Sequence, residues 1–67
     1  MDKEQLLKMD PYMLLSILNM KLRDEFHNLD ALCEDYGIEG LEIKKKIRAI
    51  GYEYHEITNQ FVAGDGE

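Results

Sequence analysis

Residues 29–52 decide the fold: Leu29-Asp30-Ala31-Leu32-Cys33-Glu34-Asp35-Tyr36-Gly37-Ile38-Glu39-Gly40-Leu41-Glu42-Ile43-Lys44-Lys45-Lys46-Ile47-Arg48-Ala49-Ile50-Gly51-Tyr52. Leu29, Leu32, Cys33 and Tyr36 stand at i, i+3, i+4 and i+7, one face of a short helix. Asn28 precedes it as an N-cap, and Asp30 suits the positive end of its dipole. Gly37 follows at once and accepts the positive φ that a left-handed helix ending requires. Ile38 is apolar and folds back to close that end. The spacing predicts a second helix over 40–50, with Ile43, Ile47 and Ile50 as its core face and Gly51 ending it in the same way. Two helices crossing over a short turn need a small residue at their closest approach, and Cys33 falls there. The whole stretch has helix-turn-helix spacing.

Downstream, Tyr52-Glu53-Tyr54 alternates at the strand period, and Gln60-Phe61-Val62 forms a second short strand. Asn59 tolerates positive φ and closes the loop between them. Alternation places Tyr52 and Tyr54 on one face of this hairpin, where Phe61 joins them. Upstream, Asp10-Pro11 opens a helix predicted over 11–26, with Asp10 as N-cap and Pro11 at the first helical position. Leu14, Leu15, Leu18 and Leu22 form its core row. Met13, Ile17 and Met20 form a second apolar row beside them, wider together than a surface helix needs. Those residues pack under the rest of the chain or lie in a dimer interface. Residues 1–8 suit a short helical turn carrying Leu6 and Leu7. The expected architecture is mostly α within the α+β class: a three-helix helix-turn-helix core followed by a C-terminal β-hairpin, like a miniature winged helix. The chain is read as one domain over 1–67, with an ordered core of about 10–62 and a disordered tail at 63–67.

Sixty-seven residues build only a thin core. One cysteine closes no intramolecular disulfide, and Cys33, His27 and His55 do not stand at a metal-ligand spacing. No export signal and no membrane-length apolar run is present, so a cytoplasmic protein is expected. Catalysis needs a nucleophile or metal with a positioned acid or base. Ser16 has no histidine at helical spacing, Cys33 faces the core, and no glycine pattern cradles a phosphate. The expectation is a protein that is not an enzyme and has no cofactor, metal or small-molecule substrate.

Two binding functions remain. The net charge of −6 opposes nucleic acid, because phosphate neutralisation supplies much of that affinity. Within residues 39–51, however, four cations against two carboxylates leave +2. Lys44, Lys45, Lys46 and Arg48 supply that charge. At the start of the second helix, where a DNA reader faces base edges, stand Gly40 and Leu41, which have no side-chain donor or acceptor. The first reading is therefore an adaptor or regulatory module that binds a protein, with self-association as a homodimer one form of it. Its candidate residues are Leu41 and the row Met13, Ile17 and Met20. The alternative is a DNA-binding regulator using Leu41, Lys44, Lys45 and Arg48. Asn19 and Arg23 are candidate interface residues. Asn19 either hydrogen-bonds a buried loop carbonyl or sets register across a dimer.

Asp10-Pro11-Tyr12-Met13-Leu14-Leu15-Ser16 and Asn19-Met20-Lys21-Leu22-Arg23-Asp24 resemble a family of very short bacterial proteins defined only as a domain of unknown function. Leu32-Cys33-Glu34-Asp35-Tyr36, Gly51-Tyr52-Glu53-Tyr54 and Asn59-Gln60-Phe61 fit the same pattern. The likeness spans about residues 9–62, so that Met9 stands where relatives begin. It implies a bacterial cytosolic protein and carries no activity, ligand or site residue with it.

Overall fold

Asp10 starts the longest helix by a local rule. Its carboxylate accepts hydrogen bonds from the amides of Tyr12 and Met13 at 3.0 and 3.2 Å, and Pro11 occupies a position where no amide is needed. The computed structural model describes residues 3–64, and its elements run α1 (Lys3–Lys8), α2 (Pro11–Asp24), α3 (Leu29–Tyr36), α4 (Gly40–Arg48), β1 (Tyr52–His55) and β2 (Gln60–Ala63). This is a mostly helical α+β fold with a C-terminal antiparallel hairpin.

Helix α2 buries Leu14, Leu18 and Leu22. It stops at Asp24, two residues before the expected end at Phe26. The reason lies far along the chain. Asn59 Nδ2 donates to the Leu22 carbonyl at 2.9 Å and to the Phe26 carbonyl at 3.0 Å. The Leu22 oxygen is the one the Phe26 amide would use in a continuing helix. That amide turns instead to Lys21 O at 2.9 Å, and the helix unwinds.

Helix α3 begins and ends as its sequence dictates. Asn28 Oδ1 accepts from the Ala31 amide at 2.7 Å. Gly37 takes φ 70°, its amide reaches Glu34 O, and the Ile38 amide reaches Cys33 O at 2.9 Å. This is a Schellman ending, and buried Ile38 makes the apolar contact that accompanies one.

Helix α4 carries Ile43 and Ile47 fully into the core. Ile50 does not follow them: it lies beyond the last helical residue and is only half-buried. The final turn tightens, with the Ile50 amide bonding Ile47 O and the Gly51 amide bonding Arg48 O. A three-residue step moves Ile50 off the i+7 direction. Gly51, at φ 87°, then turns the chain into β1.

The strands pair Tyr52 with Ala63, Glu53 with Val62, Tyr54 with Phe61 and His55 with Gln60. Asn59 takes φ 57° at the loop's end. The rings of Tyr54 and Phe61 meet with centroids 5.4 Å apart. The ordered region is wider than 10–62. At one end Leu6 of α1 is 1% exposed and belongs to the core. At the other, Ala63 is paired and the Gly64 amide donates to Gly51 O at 2.7 Å. The rest of the expected tail, 65–67, and residues 1–2 lie outside the described residues. The core joins Leu6, the three α2 leucines, Leu29, Leu32 and Cys33 of α3, Ile38, Ile43, Ile47 and Phe61.

Candidate functional site

The outer side of α4 is built by spacing. Leu41, Lys44, Lys45 and Arg48 stand at i, i+3, i+4 and i+7, and all four are exposed. Ile43 and Ile47, facing inward, hold this row outward. Leu41 is 71% exposed in the first turn. Among the described residues, the three cations of the row make no ion pair. Strand β1 runs beside α4 in the opposite direction. One cleft holds Lys44, Arg48, Tyr52, Glu53 and Tyr54. Another, of about 370 Å³, holds Lys44 with Asn28, Leu29, Asp30, Tyr54 and Glu56. Lys44 thus faces both Tyr54 of β1 and Glu56 of the hairpin loop. The basic row is bordered there by three carboxylates: Asp30, Glu53 and Glu56.

The sequence reading missed one exposed apolar residue. Ile57, in the hairpin loop, is 97% exposed. An apolar side chain inside the polar run Glu56-Ile57-Thr58-Asn59 was the available signal.

The second group of candidates divides. Met13 and Met20 are exposed on α2, and Ile17 between them is half-buried. Arg23 pairs with its neighbour Asp24 at 3.0 Å in open solvent. Each holds the other in its charged form, raising the Arg23 pKa and lowering that of Asp24. Asn19 turns towards the hairpin. Its Nδ2 donates to Phe61 O at 3.0 Å, and its Oδ1 accepts from the Phe61 amide at 2.7 Å. Gln60 Nε2 adds a bond to the Asn19 carbonyl at 3.0 Å. Asn19 therefore satisfies both backbone groups of one residue on the outer edge of β2.

A second polar lock acts on the same, loop-side end of the hairpin. The Leu29 amide donates to the Tyr54 hydroxyl at 3.1 Å, and that hydroxyl donates to Asn59 Oδ1 at 2.7 Å. Asn59 in turn holds the end of α2. Tyr54, Asn59, Gln60 and Asn19 are thus occupied in assembling the fold.

With that geometry in place, the comparison with known families is decisive. The model of a domain of unknown function, DUF4250, matches residues 8–61. The chain belongs to the DUF4250 family. Neither curated proteins nor solved structures gave a match. The residues that carry the family likeness include Asn19, Tyr54, Asn59 and Gln60, whose hydrogen bonds are structural. Among the described residues of this DUF4250 domain, no group of three acidic, histidine or cysteine side chains is placed to hold a metal. No described helix is long and apolar enough to cross a membrane.

Cys33 lies buried where α3 meets α4. Burial pushes its thiol pKa up, and the Asp30 carboxylate adds to the rise, against a smaller opposing pull from Lys44. Because the folded state favours the protonated thiol, this contribution is complete below the unfolded thiol's pKa and is lost as pH climbs past it. A thiol reagent such as 5,5′-dithiobis(2-nitrobenzoate) is expected to label Cys33 at mildly alkaline pH at the rate of unfolding. Immediate labelling in native buffer would contradict this placement.

Proposed function

We propose that the domain is a protein-binding module of adaptor or regulatory type. Its outer α4 row takes an acidic partner surface that presents an apolar side chain to Leu41. The exposure of Leu41 carries this reading. It occupies the turn where a base-reading helix places donors and acceptors, and it offers neither. Covering such a leucine with a partner contributes about 1.5–3 kcal/mol. Lys44, Lys45 and Arg48 then supply orientation and a fast encounter.

One observation favours DNA instead: three cations, unpaired among the described residues, lie on one helix face. Against it stand the carboxylates of Asp30, Glu53 and Glu56 beside that face. The hairpin loop has no cation, and the whole chain carries −6. The carboxylates and the net charge repel phosphate, and a loop without a cation does not grip it.

Two experiments separate the readings. A random duplex should show no retardation even at about 50 mM salt. Selection from a display library of helical peptides should enrich sequences with Asp or Glu at i, i+4 and i+7 around a large apolar residue. Leu41→Asp should remove that binding without altering the far-ultraviolet circular dichroism. Retarded DNA whose affinity falls steeply with salt would establish the regulator reading in place of this one.

A further inference from the structure

The hairpin has two edges, and Asn19 closes one of them at Phe61, whose amide and carbonyl both turn outward to it. In an antiparallel pair, a residue whose main-chain groups turn outward stands opposite one that does the same. Phe61 stands opposite Tyr54, so the Tyr54 amide and carbonyl point away from β2. Two residues back, Tyr52 repeats the arrangement. The bond from the Gly64 amide to Gly51 O fixes the same phase from the other end of the ribbon. The amides and carbonyls of Tyr52 and Tyr54 thus line the outer edge of β1. Among the described residues, none of these groups has a hydrogen-bond partner. Such an edge is a template for another strand.

That edge opens on a channel. The cleft of Lys44, Arg48, Tyr52, Glu53 and Tyr54, about 220 Å³, touches three consecutive strand residues. Side chains alternate between the faces of a strand, so a space that meets three in a row meets the strand's edge. The cleft that holds Asp30 and Glu56 shares Lys44 and Tyr54 with it, and so continues it towards the hairpin loop. The channel is graded in charge. Arg48 and Lys44 stand along the stretch from Tyr52 to Tyr54, and Asp30 and Glu56 stand beyond Tyr54. Glu53 lays its carboxylate beside Gly64, on the β2 side.

We propose that the outer edge of β1 takes an extended peptide as a third strand, antiparallel to β1, with basic residues in its N-terminal half and acidic residues in its C-terminal half. The main chain of Tyr52 and Tyr54 holds the peptide. Antiparallel pairing is the more stable per residue, and it brings the acidic half to Arg48 and Lys44. A second folded copy of this chain does not fit, because either of its strands carries a partner strand on the far side, where α4 stands. The site does not depend on the contact at Leu41: Lys44 and Arg48 serve both surfaces, and Leu41 serves only the other.

The test is a display library of random peptides of about eight residues, selected on the Leu41→Asp chain. It should enrich sequences that are basic at the N-terminal end and acidic at the C-terminal end. An enriched peptide should bind the natural chain as well as the Leu41→Asp chain, and bind Lys44→Glu, Arg48→Glu about tenfold more weakly. Amide hydrogen exchange then reads the edge itself. With the peptide bound, exchange at Tyr52 and Tyr54 should slow by about tenfold or more. N-methylation of the alternate set of peptide amides that faces β1 should weaken binding by about tenfold. No enrichment, the reverse charge order, or unchanged exchange at Tyr52 and Tyr54 in the bound chain would overturn the proposal. Because selection is made without Leu41, failure of the Leu41 contact leaves this result unaffected.

Discussion

Asn59→Ala is expected to destabilise the domain by about 2–4 kcal/mol, although Asn59 lies at the end of a surface loop. Three hydrogen bonds vanish together: those to the Leu22 and Phe26 carbonyls, and the one from the Tyr54 hydroxyl. Alanine must also hold φ 57°, which asparagine tolerates better. A chain of 67 residues has roughly 3–10 kcal/mol in total to lose. The midpoint of thermal unfolding should therefore fall by about 10–30 °C. Two comparators divide the effect. Asn59→Gly relieves the backbone and keeps the hydrogen-bond loss. Tyr54→Phe removes only the hydroxyl, at about 1 kcal/mol. A loss below about 0.5 kcal/mol for alanine would mean that water replaces all three bonds, and the lock would then have no structural weight.

Ile47→Ala should be as damaging for a different reason. Ile47 is fully buried in α4, where that helix packs against α2. Truncation removes transfer energy and leaves a cavity, about 2–5 kcal/mol in all. Ile47→Val should cost about 1 kcal/mol. The same change at Ile50 should cost far less, because Ile50 is half-buried beyond the helix end. Urea unfolding of the three variants checks the order. Equal losses at 47 and 50 would return Ile50 to the core face that its spacing suggested.

That contrast marks where the sequence was legible. Helix starts at Asp10 and Asn28, the left-handed turn at Gly37 and the buried row Ile43–Ile47 follow from rules acting within a few residues. They were readable, and so was the exposed α4 row, which is their complement. What was not readable acts at a distance. The end of α2 is set by Asn59, which lies 37 residues from Leu22 and 33 from Phe26. Local pattern shows Asn59 only as a residue tolerant of positive φ. Asn19 had two candidate roles because a side-chain amide among leucines needs a partner, and its sequence neighbours do not say which. Leu6 joins the core through tertiary packing, beyond the reach of a six-residue helix's own periodicity.

Asn19 has a consequence for the order in which the chain assembles. A two-stranded ribbon is marginal alone in water. Here the primary amide of Asn19 stands in for a neighbouring peptide unit and supplies the missing rung across 42 residues. The ribbon has no template until α2 exists, and slipping by one position would offer that rung the wrong residue. The strands therefore pair in the single alignment that the Asn19 amide admits.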